Sequence, residues 1–274
     1  MRPTSAFIYP EPAAPEVDAA ELARYLKEQL PTLRVEVRLP LLAFYLGGLP
    51  SEERGRALDR LAQGFARLKI KNPLARKQDF PVLPGEANYE RRRLTSPQPP
   101  FGLLYHGEGA MRLLGDLLPP QERNLSFLHI VFNCLLLGTW GEGRYHLRAA
   151  VYGFPSLIST TGVVEAPAKP RQFYILKQQY TALGMPDAVV ELEAELGERV
   201  LRHSDPRLTE VMKGYVMQAL FYHVAGDPFC EDRGCRLYNA HWQEEVIGAQ
   251  LRSAYQFCPR HQGLLDQMRE GAPA

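Results

Sequence analysis

The alternation of apolar and polar positions divides the chain into two styles. Near the start, the apolar run Ala6 to Tyr9 is followed by a proline-rich stretch, and Leu22, Tyr25 and Leu26 then recur at helical spacing between Asp18 and Leu30. Pro31 ends that helix, and Val35, Val37 and Leu39 alternate with charged residues as on a half-buried strand. The opening therefore reads as a β-α-β unit, which implies a parallel or mixed sheet.

Ser51 to Leu68 is an amphipathic helix, whereas Lys69 to Pro100 has no clear period and reads as an irregular excursion carrying Arg91, Arg92 and Arg93. Gly102 to Tyr105 predicts a strand, Gly109 to Leu118 a helix and Leu125 to Cys134 a buried strand. Arg144 to Tyr152 and Leu157 to Val164 read as strands around the turn Gly153-Phe154-Pro155. Pro167 and Pro170 then hold a polar loop, residues 162–171, extended around Glu165 and Lys169. Helices are expected over Gln172 to Ala182, Ala188 to Leu201 and Leu208 to Val224, and a last one around His241 to Tyr255. The fold class is α/β or α+β: a single domain, residues 1–274, with a mixed sheet and packed helices in residues 1–170 and a helical part with a metal-clamped tail in residues 171–274.

At 274 residues with 45% apolar content, the chain can bury a large core without help from metal. The 32 basic residues nearly cancel the 31 acidic ones, so no global field draws nucleic acid or an anionic membrane. No apolar stretch is long enough to span a bilayer and no leader is evident, which predicts a soluble, cytoplasmic protein.

In a reducing compartment, clustered cysteines favour metal over disulfides. Cys230 and Cys235 stand four residues apart around Gly234, and Cys258 and His261 are separated by two. Each pair can turn toward one ion, and three thiolates with one imidazole suit a tetrahedral structural Zn2+, one per chain. Cys134 lies in an apolar run and reads as an inert core residue.

The C-terminal third resembles the archaemetzincins, a family of zinc metallopeptidases with the signature His-Glu-x-x-His-x-x-Gly-x-x-His-Cys, a second cysteine four residues on and a later Cys-x-x-Cys pair. In this chain the signature falls on residues 219–230: Ala219 and Leu220 replace the first histidine and the glutamate, His223 and Gly226 remain, and Phe229 replaces the third histidine. Cys230 and Cys235 match the first two cysteines, and Cys258 with His261 matches the final pair. The resemblance implies a structural zinc that is kept and a peptidase centre that is lost, because a catalytic zinc needs three protein ligands, an open water position and a carboxylate base. It implies a binding module for a peptide or protein in the old substrate cleft.

The alternative is a metal-dependent hydrolase with a rearranged centre using His223, His241 and Glu244 or Glu245. His241 and Glu245, four apart, would be neighbours on a helix. Weaker catalytic candidates are Glu165 and Lys169, which would share a cleft with His146 and Arg148 if the strand through Arg144, His146 and Arg148 lies beside their loop. No Gly-x-Ser-x-Gly elbow or glycine-rich phosphate loop occurs.

Overall fold

A computed structural model describes residues 2–96, 100 and 102–270. In chain order its elements are β1 (Ser5–Tyr9), α1 (Ala19–Gln29), β2 (Arg34–Val37), α2 (Leu41–Gly47), α3 (Ser51–Arg67), α4 (Pro84–Leu94), β3 (Leu104–His106), α5 (Gly107–Gly115), β4 (Phe127–Asn133), β5 (Leu136–Gly141), β6 (Arg144–Arg148), β7 (Ala150–Val151) and β8 (Ser156–Ser159). The helices α6 (Thr160–Glu165), α7 (Arg171–Ala182), α8 (Pro186–Glu195), α9 (Leu208–Ala225), α10 (Gln243–Ile247) and α11 (Pro259–Glu270) complete it.

Among the described residues, β2-β1-β4-β8-β7 form one sheet in that order, parallel except for the edge strand β7. A smaller sheet, β3-β5-β6, joins a parallel pair to an antiparallel hairpin. β1 and β4 are central and buried on both faces, which is why their sequences run apolar instead of alternating. One face packs α1 and α9 through Leu22, Leu26, Val211, Val216 and Leu220, and the other packs α3 and α5 through Leu61, Phe65 and Ala110. The architecture is therefore mixed α/β, with a helical C-terminal part.

Local chemistry sets the ends. The Asp18 carboxylate accepts from the backbone N–H groups of Ala20 and Glu21, at 2.8 and 3.0 Å, and starts α1. Gly226 closes α9 in the left-handed region, φ +73°, with its N–H on Tyr222 O.

Several expectations are corrected. The predicted strand Leu157 to Val164 ends at Ser159, whose hydroxyl accepts the Gly162 N–H at 2.7 Å and starts α6, so Glu165 ends a helix instead of sitting in an extended loop. The predicted strand Arg144 to Tyr152 breaks near Ala149 into β6 and β7, which belong to different sheets. The excursion over Lys69 to Pro100 contains α4, and the helices α2 and α11 fall where the sequence pattern gave no expectation. The helix around His241 to Tyr255 is only α10 and a π-helical turn, Gly248–Arg252. No helix among the described residues is long and apolar enough to cross a membrane.

Candidate metal centre

Cys230 follows the Gly226 turn and is held by two backbone bonds, its N–H to Leu237 O and its carbonyl from Asn239 N. From there the chain tightens around Asp232, whose carboxylate accepts the Gly234 N–H at 2.9 Å while its carbonyl accepts the Cys235 N–H. The Tyr255 hydroxyl clamps the same carboxylate at 2.7 and 2.8 Å. A Cβ on Gly234 would lie 2.5 Å from that hydroxyl, so glycine is what lets Tyr255 cross the loop.

The other half is a helix start. Cys258 immediately precedes α11, its carbonyl accepts the Gln262 N–H, and His261 falls one turn on, facing the same side. The Phe221 ring of α9 meets the His261 ring edge-on, with centroids 5.3 Å apart, and ties the helix to the cluster.

The structure brings together the four side chains singled out by spacing. Cys230 Sγ lies 3.8 Å from Cys258 Sγ, and His261 Nδ1 lies 3.2 Å from Cys258 Sγ and 3.8 Å from Cys235 Sγ. All four donor atoms fall within 4.8 Å of one another, and all four residues are buried. Ligand bonds of about 2.3 Å to sulfur and about 2.0 Å to nitrogen, set tetrahedrally, separate two sulfurs by about 3.8 Å and a sulfur from a nitrogen by about 3.5 Å. A disulfide would need about 2.05 Å, and the cysteines are free thiols. The donor set thus fits one metal ion.

Without an ion the site is a poor place for charge. Burial pushes the Cys235 thiol up to about 12 and raises Cys230, while burial lowers His261. A bound cation inverts this by favouring the thiolates and using the neutral imidazole.

The remaining candidates do not converge. Ala219 and Leu220 are fully buried in the apolar core, and His223, on the same helix, bonds through Nε2 to Leu125 O at 2.9 Å. Glu244 pairs with Arg199. The expected His241–Glu245 pair on one helical face does not form: His241 precedes α10, and the Glu245 carboxylate accepts the backbone N–H groups of His241 and Trp242 at 2.9 and 3.2 Å. Glu165 accepts from His203 at 3.0 Å, which holds its carboxyl below the usual range, and Lys169 stands over the Phe173 ring. Arg148 and His241 line a shared crevice with Ala166 and Pro167, while His146 bonds to Gly141 O in its own hairpin. Among the described residues, the Cys3His cluster is the group of three or more His, Cys, Asp or Glu side chains placed to hold a metal.

Sequence spacing did not single out Phe221, Asp232 or Tyr255, which build the walls of the cluster; the Gly234 beside Cys235 was the available hint. No curated protein and no solved structure matches the chain. Residues 2–268, nearly the whole length, match the family described as "Probable metallopeptidase family (DUF6775)". The chain belongs to that probable metallopeptidase family.

Proposed function

We propose that this protein is a zinc-stapled relative of the archaemetzincins in which the peptidase centre has been replaced by core packing, leaving a module that binds peptide. The observation that carries the reading is on α9. Ala219 and Leu220 are 0% exposed and His223 is turned onto a backbone carbonyl, so the helix presents neither three metal donors nor a carboxylate base.

The metal in this reading is Zn2+, one per chain, because three thiolates and an imidazole suit zinc over magnesium or calcium. Its role is structural: four protein donors leave no open position for water. Cys230, Cys235, Cys258 and His261 would hold it, and it would lock the loop after α9 to the start of α11.

Peptide would meet the crevice between β7 and α9. This space is about 100 Å3 and is lined by Arg148, Ala150, Tyr152, Gln218 and Phe229. The Tyr152 hydroxyl donates to Gln218 Oε1, and the Tyr152 ring lies 6.1 and 6.0 Å from the Tyr222 and Phe229 rings. Such a crevice takes one side chain, while the edge strand β7 offers backbone groups to an extended peptide.

The test combines metal analysis with a peptide array. One zinc per chain, retained peptides and no cleavage fit the proposal. Hydrolysis that disappears in His223→Ala would overturn it.

A further inference from the structure

A second cavity is built from residues other than those of the α9 crevice and the metal cluster. From β1 the chain passes through α1 to β2, while β4 joins the other edge of β1, so strand order reverses between β1 and β4. Where order reverses, successive connections leave to opposite faces, and a crevice opens beyond the carboxyl ends of the two strands. Here that crevice is a cavity of about 440 Å3, floored by residues 10–12 after β1 and 131–135 at the end of β4. Leu46 of α2, Phe65 of α3, Leu94 of α4 and Leu114 of α5 wall it. It shares no lining residue with the crevice beside α9 and none with the Cys3His cluster.

The lining is apolar apart from a few groups, and one of these is incomplete. Arg93 projects from α4 with its side chain 10% exposed, its Nε donating to Glu90 Oε2 at 2.7 Å and its guanidinium carbon 4.8 Å from the centre of the Phe65 ring. Its Nη2 is buried and has no hydrogen-bond partner. Leaving a buried charged donor unmet is costly, so such an atom asks for an acceptor.

No neighbouring side chain among the described residues meets it, and the polar groups nearby are engaged elsewhere. Glu90 Oε1 already accepts from Lys69 Nζ at 2.8 Å and from the Tyr105 hydroxyl at 2.9 Å. The two Glu11 oxygens accept the backbone N–H groups of Ala13 and Cys134, at 2.9 and 3.1 Å. Asn133 is bonded through both ends of its amide, to Ile158 O and Leu135 N. Two cations, Lys69 and Arg93, face one fully buried carboxylate, Glu90, so Arg93 shares its ion-pair partner with Lys69.

We propose that this cavity binds a small apolar carboxylate, with an acyl chain or aromatic ring along the leucine and phenylalanine walls and a carboxylate oxygen accepting from Arg93 Nη2. A neutral apolar molecule would leave Nη2 unmet. A phosphate would bring more charge and more acceptors than one free donor can satisfy. The inference is independent of the peptide reading, since it uses different residues and a different opening.

The experiment is calorimetric titration of the zinc-loaded full chain with decanoate and with 1-decanol, which share a chain and differ in charge. Decanoate is expected to bind at least tenfold tighter. Arg93→Gln should reduce that preference to less than twofold. Because Arg93 also pairs with Glu90, this variant could misfold, so a second variant, Ala43→Trp, fills the cavity from the exposed side of α2 where Ala43 lines it. It should weaken decanoate at least tenfold while zinc content and helix content stay unchanged. Equal binding of acid and alcohol, unchanged decanoate affinity in Ala43→Trp, or no binding of decanoate, hexanoate or phenylacetate would overturn the proposal.

Discussion

The end of α9 and the loop that follows it adjoin in sequence and differ in what holds them. In the loop, Cys230, Cys235, Cys258 and His261 turn four donors to within 4.8 Å of one another. On α9, Ala219 and Leu220 take the places of a histidine and a glutamate in the proposed archaemetzincin register, and both are packed into the core with no exposure. Donor atoms crowded in an apolar interior are useful only with an ion, whereas buried aliphatic groups are stabilising as they stand. One region is therefore expected to answer to metal, and its neighbour to packing.

The largest effect should come from breaking the first. Cys258→Ser removes the thiolate at the start of α11 and should release the metal. Zinc binding to folded peptides is worth about 10–16 kcal/mol; if roughly 5 kcal/mol of that reaches global stability, the melting temperature falls by roughly 10–20 °C. Zinc analysis and thermal melting check this together, and a variant that keeps both its metal and its melting temperature would remove the site.

Next comes the packed neighbour. Leu220→Ala leaves a cavity in a core at 0% exposure and should cost about 2–5 kcal/mol, read by denaturant unfolding, with zinc content unchanged. Loss of zinc on this substitution would mean that the two regions are one cooperative unit and that the contrast fails.

What the sequence disclosed follows the same division. β1, α1 and β2 were legible because Leu22, Tyr25 and Leu26 keep helical period beside short apolar runs, and the two halves of the metal cluster were legible because ligand spacing is a local property. α4 was hidden because Ala87 and Glu90 are its buried residues, so a helix rich in arginine carries almost no apolar stripe. The break at Ser159 was hidden because a serine in a strand-like run looks the same whether or not its hydroxyl caps a helix. Glu245 had the right spacing from His241 for a metal pair, but its carboxylate satisfies backbone N–H groups at the start of α10. The cavity beyond β1 and β4 is least legible of all. Its walls come from segments far apart in sequence, and Arg93 reads as one of three surface arginines until Arg91 is seen paired with Asp59 and Arg93 turned inward to Glu90.

A third effect probes imidazoles that serve packing. His129 of β4 is buried between the Tyr9 hydroxyl, 3.2 Å from Nδ1, and Glu122 O, 3.3 Å from Nε2. Burial lowers its pKa to about 4, against 6.5 as its ordinary value. The unfolded chain therefore binds a proton more readily than the folded one between those values, so stability is complete above about pH 6.5 and is lost as pH falls toward 4. The shift corresponds to a loss of about 3 kcal/mol. Comparing wild type with His129→Gln by urea unfolding at pH 7 and pH 4.5 isolates this contribution; an identical pH slope in both proteins would dismiss it.

The smallest effect is the sharpest test of the comparison. In the proposed register His223 is the one signature histidine left on α9, and its Nε2 bonds to Leu125 O at 2.9 Å. His223→Ala removes one hydrogen bond at a partly exposed carbonyl, which should cost about 0.5–1.5 kcal/mol. If His223 serves only that bond, the variant keeps its full zinc content and melts a few degrees lower. If His223 instead helps hold a catalytic ion, the variant loses metal without losing the Cys3His ion, and total zinc drops from two equivalents to one. The two outcomes differ by a whole ion, far more than the small change in stability, so metal counting on this substitution decides whether α9 is packing or chemistry.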